Sequence, residues 1–156
     1  MQQELPKIAE IRFSAMNFLA LREHSAKELK DKLARKYEQA ELVEEAVNEL
    51  IEKNLQSDER FAQAFVAMRQ RQGKGAVIIK MELREKGVTA ELIAQFVDDT
   101  DPVWVELARD VRFKKFRGAA PADQRERAKQ MRFLNSRGFS GRHIQGAFSA
   151  VSEEDS

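Results

Sequence analysis

Leu83-Arg84-Glu85-Lys86-Gly87 has two counterparts in this chain, Leu33-Ala34-Arg35-Lys36-Tyr37 and Leu134-Asn135-Ser136-Arg137-Gly138. Five residues past the end of each comes a second recurring pair: Leu42-Val43, Leu92-Ile93 and His143-Ile144. The next turn adds Ala46-Val47, Phe96-Val97 and Ala147-Phe148. A period of about 50 residues points to a stacked array of supersecondary units, each too small to bury its apolar side alone. Such an array presents one long face rather than one deep pocket.

Working outward, each repeat reads as three helices. In the first, Ile11, Ala15, Phe18, Leu19 and Arg22 run at helical spacing, and Ser25-x-x-Glu28 forms a capping box after His24. Leu29, Leu33 and Tyr37 share a face of the second helix; Leu42, Val43, Ala46, Val47, Leu50 and Ile51 make the stripe of the third. The second repeat opens at the cap Ser57-Asp58-Glu59 and carries Phe61, Ala64, Phe65 and Met68. It breaks at Gly73-Lys74-Gly75, resumes with Ile79 and Leu83, ends a helix at a left-handed Gly87, and is capped again at Thr89 before Leu92, Ile93, Phe96 and Val97. The third starts at Asp101-Pro102 with Trp104, Leu107, Ala108 and Val111. A basic helix runs to Arg137, and Ser140 leads into Ile144, Ala147, Phe148 and Val151. Strand-type alternation is missing from the sequence, so the predicted fold is all-α, with repeats at 1–56, 57–100 and 101–152 and an acidic tail at 153–156.

The formal net charge of +1 conceals a gradient. Residues 1–56 hold 9 basic and 11 acidic side chains, residues 60–86 hold 7 against 2, and residues 109–142 hold 11 against 3, giving balances of −2, +5 and +8. The back two thirds reads as a surface facing a polyanion or an acidic protein; solvated helix faces rich in Lys and Arg are the competing reading. The absence of cysteine excludes disulfides, thiolate zinc sites and a Cys nucleophile, and is compatible with a reducing cytoplasm. No apolar run approaches the roughly 20 residues that cross a bilayer, and residues 1–10 lack the apolar stretch of a secretory signal.

Motifs that suggest chemistry fail on spacing. Gly73-Lys74-Gly75 has Met68 where a phosphate loop needs glycine and Gly75 where it needs Ser or Thr, so it reads as a helix-breaking turn. Asp98, Asp99 and Asp101 run into Pro102 and Val103 where a calcium loop needs a ligand and a glycine; a helix end meeting an N-cap explains them better. His24 and His143, the only histidines, have no partner ligands nearby in sequence, and His143 aligns with Leu42 and Leu92, predicting burial. Phe13, Phe18, Phe61, Phe65, Phe96 and Phe148 read as core. Phe113, Phe116 and Phe133 lie among Arg112, Lys114, Lys115, Arg117 and Arg132, a pattern that suits either base stacking or packing on a neighbouring helix. No metal or other cofactor is expected.

Taken in order, Arg22-Glu23-His24-Ser25-x-x-Glu28-Leu29-x-x-Lys32-Leu33, Asp58-Glu59-Arg60-Phe61-Ala62, Gly73-Lys74-Gly75 with Glu82 to Gly87, and Leu134-x-x-Arg137-Gly138-Phe139 resemble the RecX family of bacterial recombinase regulators. The resemblance spans about residues 15–150. It departs at Tyr37, where such sequences often carry glycine, and at Asn135-Ser136, which replace a more basic pair. It implies an elongated, curved array of three tandem three-helix repeats. It also implies a non-enzymatic, cytoplasmic partner of the RecA filament on single-stranded DNA, one that limits filament extension, ATP hydrolysis, strand exchange and coprotease function. Weak direct binding of single- or double-stranded DNA is a further implication.

On this reading the second repeat is the principal contact surface, through Arg60, Arg69, Arg71, Lys74, Lys80, Arg84 and Lys86, followed by Arg125, Lys129, Arg132 and Arg137 of the basic helix. Glu82 is expected to pair with Lys86 along its own helix. A monomer is expected, since every stripe has a partner within the row. The rival readings are a DNA-binding protein acting without the recombinase, and a hydrolase or nuclease, for which no carboxylate set is offered.

Overall fold

The computed structural model describes residues 4–118 and 120–149, with side chains from residue 7. Val151 and the predicted tail at 153–156 lie outside the described residues. Nine helices and no strand occur among the described residues: α1 (Glu4–Leu21), α2 (Ala26–Lys36), α3 (Ala40–Glu52), α4 (Asp58–Arg71), α5 (Ala76–Glu85), α6 (Ala90–Phe96), α7 (Val103–Phe116), α8 (Gln124–Ser136) and α9 (Gly141–Phe148). No helix among them is long and apolar enough to cross a membrane. The chain divides into two compact units, Met1–Phe65 with Leu83–Phe96, and Val66–Glu82 with Val97–Ser156; α4 and α5 contribute residues to both.

In the first unit α1, α2 and α3 pack around Ile11, Ala15, Leu29, Leu33, Val43, Ala46, Val47 and Leu50. Each large side chain removed from water there contributes about 1.5–3 kcal/mol. The capping box forms as predicted: Ser25 Oγ accepts from the Glu28 amide and Glu28 Oε1 from the Ser25 amide, both at 3.1 Å. Asp58 adds a long-range cap, accepting the Ala26 amide at 2.8 Å and the Gln56 side-chain amide at 3.0 Å. Glu28 also takes Arg22 at 3.0 Å and Lys86 at 3.1 Å. Burial pushes its pKa up, but hydrogen bonds from Arg22, the Ser25 amide and Lys86 outweigh it and bring it down to about 2.

The second unit packs α7, α8 and α9 around Ala108, Leu134, Phe139, Ile144 and Ala147. His143 is buried, as its alignment with leucines implies; it stacks on Trp104 and bonds the Asp99 carbonyl at 2.7 Å. The aspartates are occupied locally. Asp98 accepts from the Thr100 amide and hydroxyl at 2.9 and 2.7 Å, Asp101 caps Val103 at 2.9 Å, and Asp99 pairs with Lys80.

One junction recurs. In the first unit Gly87, with φ of +80°, stands so close to α2 that a Cβ on it would lie 2.9 Å from Lys27 Cβ. In the second, the turn at Gly138 (φ +94°) meets the start of α5: Gly75 N–H donates to the Arg137 carbonyl at 2.8 Å and Val77 N–H to the Gly138 carbonyl at 2.9 Å. A Cβ on Gly75 would sit 2.4 Å from the Gly138 carbonyl carbon. Under the 50-residue alignment, Lys27 and Val77 are equivalent. In both units the start of a repeat's second helix lies against the left-handed turn of the next repeat, through the Lys27 side chain in one and through the Val77 amide and Ile78 side chain in the other. Tyr37 occupies the corresponding position of the first repeat in extended backbone (φ −124°), where glycine is not needed; its hydroxyl meets Ser14 Oγ at 2.7 Å.

Four sequence expectations fail in detail, the first at Ile51, read on the apolar stripe of α3 but exposed beyond the core that Val43, Ala46, Val47 and Leu50 make. The buried face of α4 is Phe61, Ala62, Phe65 and Val66, whereas Ala64 and Met68 are exposed, so the true stripe is rotated from the predicted one. Phe13 is 69% exposed rather than core, because Ile11 and Ala15 supply the inward face of α1. Glu82 does not pair with Lys86: it takes a two-pronged contact from Arg69, while Lys86 goes to Glu28.

Candidate polyanion-binding cleft

Within the second unit a cleft of about 470 Å³ opens between the end of α4, one face of α7 and the end of α8. Leu107, Val111 and Lys114 follow one another at turns of α7, with Asp110 beside them, so helical spacing alone brings an apolar floor, a carboxylate and an ammonium together. Lys115 completes the α7 contribution. The opposite walls are Gln70, Arg71, Gln72 and Gly73 on one side and Phe133 and Arg137 on the other.

The Gly73-Lys74-Gly75 loop shapes this cleft. Gly73 (φ +76°) turns the chain after α4, and a Cβ there would press on Val111 at 3.1 Å. The amides of this stretch are all spent: Gln72 N–H on Met68, Gly73 N–H on Gln70, Lys74 N–H on Arg69 and Gly75 N–H on Arg137 carbonyls. A phosphate cradle built of backbone amides is therefore physically ruled out in this loop, and any anion must be held by side chains.

Four cations, Arg71, Lys114, Lys115 and Arg137, line the cleft against the single carboxylate of Asp110. Among the described residues none of these five makes an ion pair within 4 Å. Such an unbalanced concave cluster focuses positive potential. Phe133 is enclosed by it: Lys115 Nζ and Arg137 Cζ each stand 5.3 Å from its ring centroid, and Phe116 meets it edge-on at 5.6 Å. Phe113 alone of the three rings in this region is exposed, lying over Gly118.

The predicted contact residues fall into two groups. Arg60 is held by Glu23 and Asn54, Arg69 by Glu82, Lys80 by Asp99 and Lys86 by Glu28. Arg71, Lys74, Arg84, Arg125, Lys129, Arg132 and Arg137 make no such pair among the described residues. Of these the structure brings Arg71 and Arg137 into one cleft, and sets Arg125, Lys129 and Arg132 along one exposed stripe of α8. Lys114 and Lys115 were not among the predicted contacts. Their signal was present in the sequence, since Lys114 continues the Leu107, Val111 spacing off the apolar face.

The comparisons with known proteins follow the same three-part division. Residues 12–50, 57–96 and 105–148 match the family profiles described as RecX first, second and third three-helix domains. The chain belongs to the RecX family. Relatives named Regulatory protein RecX include that of Halorhodospira halophila, 38% identical over 145 residues and covering 93% of this chain and 90% of its own. One from Pseudomonas fluorescens is 40% identical over 136 residues, covering 87% and 88%. The crystal structure of RecX from Lactobacillus salivarius superposes with a TM-score of 0.77 at 23% identity, over 97% of this chain and 98% of that one, a likeness of fold. The all-α series of three tandem three-helix domains is thus the RecX architecture, and the chain has a RecX regulatory role.

Proposed function

We propose that this RecX chain binds the RecA recombinase filament on single-stranded DNA. Bound there, it restrains filament extension, ATP hydrolysis, strand exchange and coprotease activity by occupancy rather than by catalysis. The observation that carries the reading is the set of cations, seven of the eleven predicted, that have no carboxylate partner among the described residues, in a family whose relatives are named as regulators. Arg71, Lys74, Arg84, Arg125, Lys129, Arg132 and Arg137 are the contact residues, joined by Lys114 and Lys115. Arg60, Arg69, Lys80 and Lys86 act through the fold, because breaking their pairs exposes a carboxylate partner as well as removing a cation. The protein acts in the cytoplasm as a monomer.

The test adds the protein to preformed recombinase filaments on single-stranded DNA and follows ATP hydrolysis. Wild type should lower turnover, and Lys74→Glu with Arg84→Glu should weaken that effect at least tenfold in half-maximal concentration. Unchanged inhibition by the double reversal removes this surface from consideration. A second reading, DNA binding without the recombinase, draws on the stripe Arg125, Lys129, Arg132. It requires binding to bare DNA at physiological salt, falling steeply as salt rises.

A further inference from the structure

We infer that the cleft between α4, α7 and α8 of the second unit is a receptor for an acidic peptide segment, one carrying an apolar side chain between carboxylates, rather than for a nucleic-acid backbone. Three features separate those ligands. The first is the spent backbone of residues 72–75: every amide there already donates to a carbonyl, so a phosphodiester would have only side-chain donors. The second is Phe133. Base stacking needs an open ring face, and here Lys115 and Arg137 stand over the ring while Phe116 takes its edge.

The third feature is the presence of acceptors among the cations. Asp110 repels a phosphate, and a phosphodiester linkage offers no hydrogen to it. A peptide main chain offers N–H groups that the Asp110 carboxylate can accept, while Gln70 at the rim can pair with either a carbonyl or an N–H. Gln72 Oε1 is taken by Arg69 at 2.7 Å, which leaves its NH₂ to donate to a peptide carbonyl. The floor of Leu107 and Val111 suits an aliphatic or aromatic side chain, and Arg71, Lys114, Lys115 and Arg137 around it suit carboxylates on either side. A volume of about 470 Å³ holds a few residues of peptide, within the size range of small-ligand sites. The inference rests on the regulatory reading only for the source of the segment, an acidic stretch on the regulated protein; the chemistry stands without it.

The experiment measures fluorescence anisotropy of a labelled peptide with a central phenylalanine flanked by aspartates and glutamates. Its analogue with every acid replaced by the amide is measured alongside, as is a labelled oligothymidylate. The acidic peptide should bind saturably and the amide analogue at least tenfold more weakly. Lys114→Gln with Lys115→Gln should weaken the peptide about tenfold, while far-UV circular dichroism and the melting temperature stay at wild-type values. Asp110→Ala, which removes the acceptor that asparagine would keep, decides between ligands. It relieves a repulsion of either anion but takes an N–H acceptor from the peptide alone, so the ratio of peptide to oligothymidylate affinity should fall several-fold. Equal binding of the amide analogue, no effect of the lysine pair, or an affinity ratio unchanged or raised by Asp110→Ala would each overturn the inference; so would oligothymidylate displacing the peptide while binding more tightly than it. Because the probe contains no recombinase, failure here leaves the filament assay standing, and failure of the filament assay leaves a peptide-binding result standing.

Discussion

Replacing Gly75 by alanine should force apart the start of α5 and the Gly138 turn, the junction on which the second unit closes. The new Cβ would lie 2.4 Å from the Gly138 carbonyl carbon and 2.5 Å from both the Gly138 oxygen and the Phe139 nitrogen. All three are backbone atoms in a turn held by its own hydrogen bonds, so no flexible side chain can swing away. Ordinary contact needs well over 3 Å, and the turn and the start of α5 must separate by about an ångström or more. That stretches the Gly75 and Val77 amide bonds, now 2.8 and 2.9 Å, past useful length. Gly75 is itself buried, so its N–H would be left without water as well as without a partner.

Two such losses cost about 1–3 kcal/mol each, and roughly 3 kcal/mol in total is the expected destabilisation. For a chain of this length that corresponds to a melting temperature lower by about 6–12 °C. Gly141→Ala is the control: nothing lies within 4 Å of a Cβ there, and the position opens α9, so stability should stay within about 0.5 kcal/mol or rise. Thermal melts by circular dichroism and amide exchange at residues 75 and 77 provide the assay. Gly75→Ala with wild-type stability and both amides still protected would refute the backbone-contact account of this junction.

The remaining predictions concern charge. Glu28→Gln keeps a side chain able to accept from the Ser25 amide but loses the attraction of Arg22 and Lys86. The folded pKa of about 2 against 4.5 unfolded makes Glu28 stabilising above pH 4.5, by about 3 kcal/mol at most. That contribution is lost as pH falls from 4.5 through 2, so the stability gap between wild type and Glu28→Gln should close over this window in urea titrations. His24 is buried, donates from Nδ1 to the Arg22 carbonyl and receives Lys32 on Nε2 at 2.8 Å; burial first, then Arg22 and Lys32, lower its pKa. Its neutral form is therefore the folded one, and as pH drops below 6.5 the unfolded chain binds the proton first. Wild type should lose stability there, more than His24→Gln does. Arg69→Ala should cost about 1–3 kcal/mol by stranding Glu82, whereas Arg71→Ala, two residues further along α4, should leave the melt unchanged and weaken only partner binding.

What could be read from the sequence was whatever depends on local spacing. The Ser25-x-x-Glu28 box, the Ser57 and Thr89 caps and the left-handed Gly87 all concern a backbone group and a residue within a few positions of it, and each stands as read. The failures share a different cause. Ala64 and Met68 are apolar at plausible helical spacing, but which apolar arc of α4 turns inward is decided by residues far along the chain. Glu82 had an i,i+4 partner in Lys86 worth only a few tenths of a kcal/mol. It was outcompeted by the two-pronged Arg69 guanidinium, 13 positions away in sequence and brought close by the turn at Gly73. The same logic governs the cleft. Charge counts located the cationic segments, yet they could not tell Arg60 and Arg69, neutralised by partners 37 and 13 residues distant, from Arg71 and Arg137, which pair with no carboxylate among the described residues. The Gly73-Lys74-Gly75 stretch, read as a helix-breaking turn, is also the place where two backbones touch, at Gly75. The Gly75 amide donates to the Arg137 carbonyl, so the contact that closes this unit also holds the backbone of a residue that lines the cleft with Lys115.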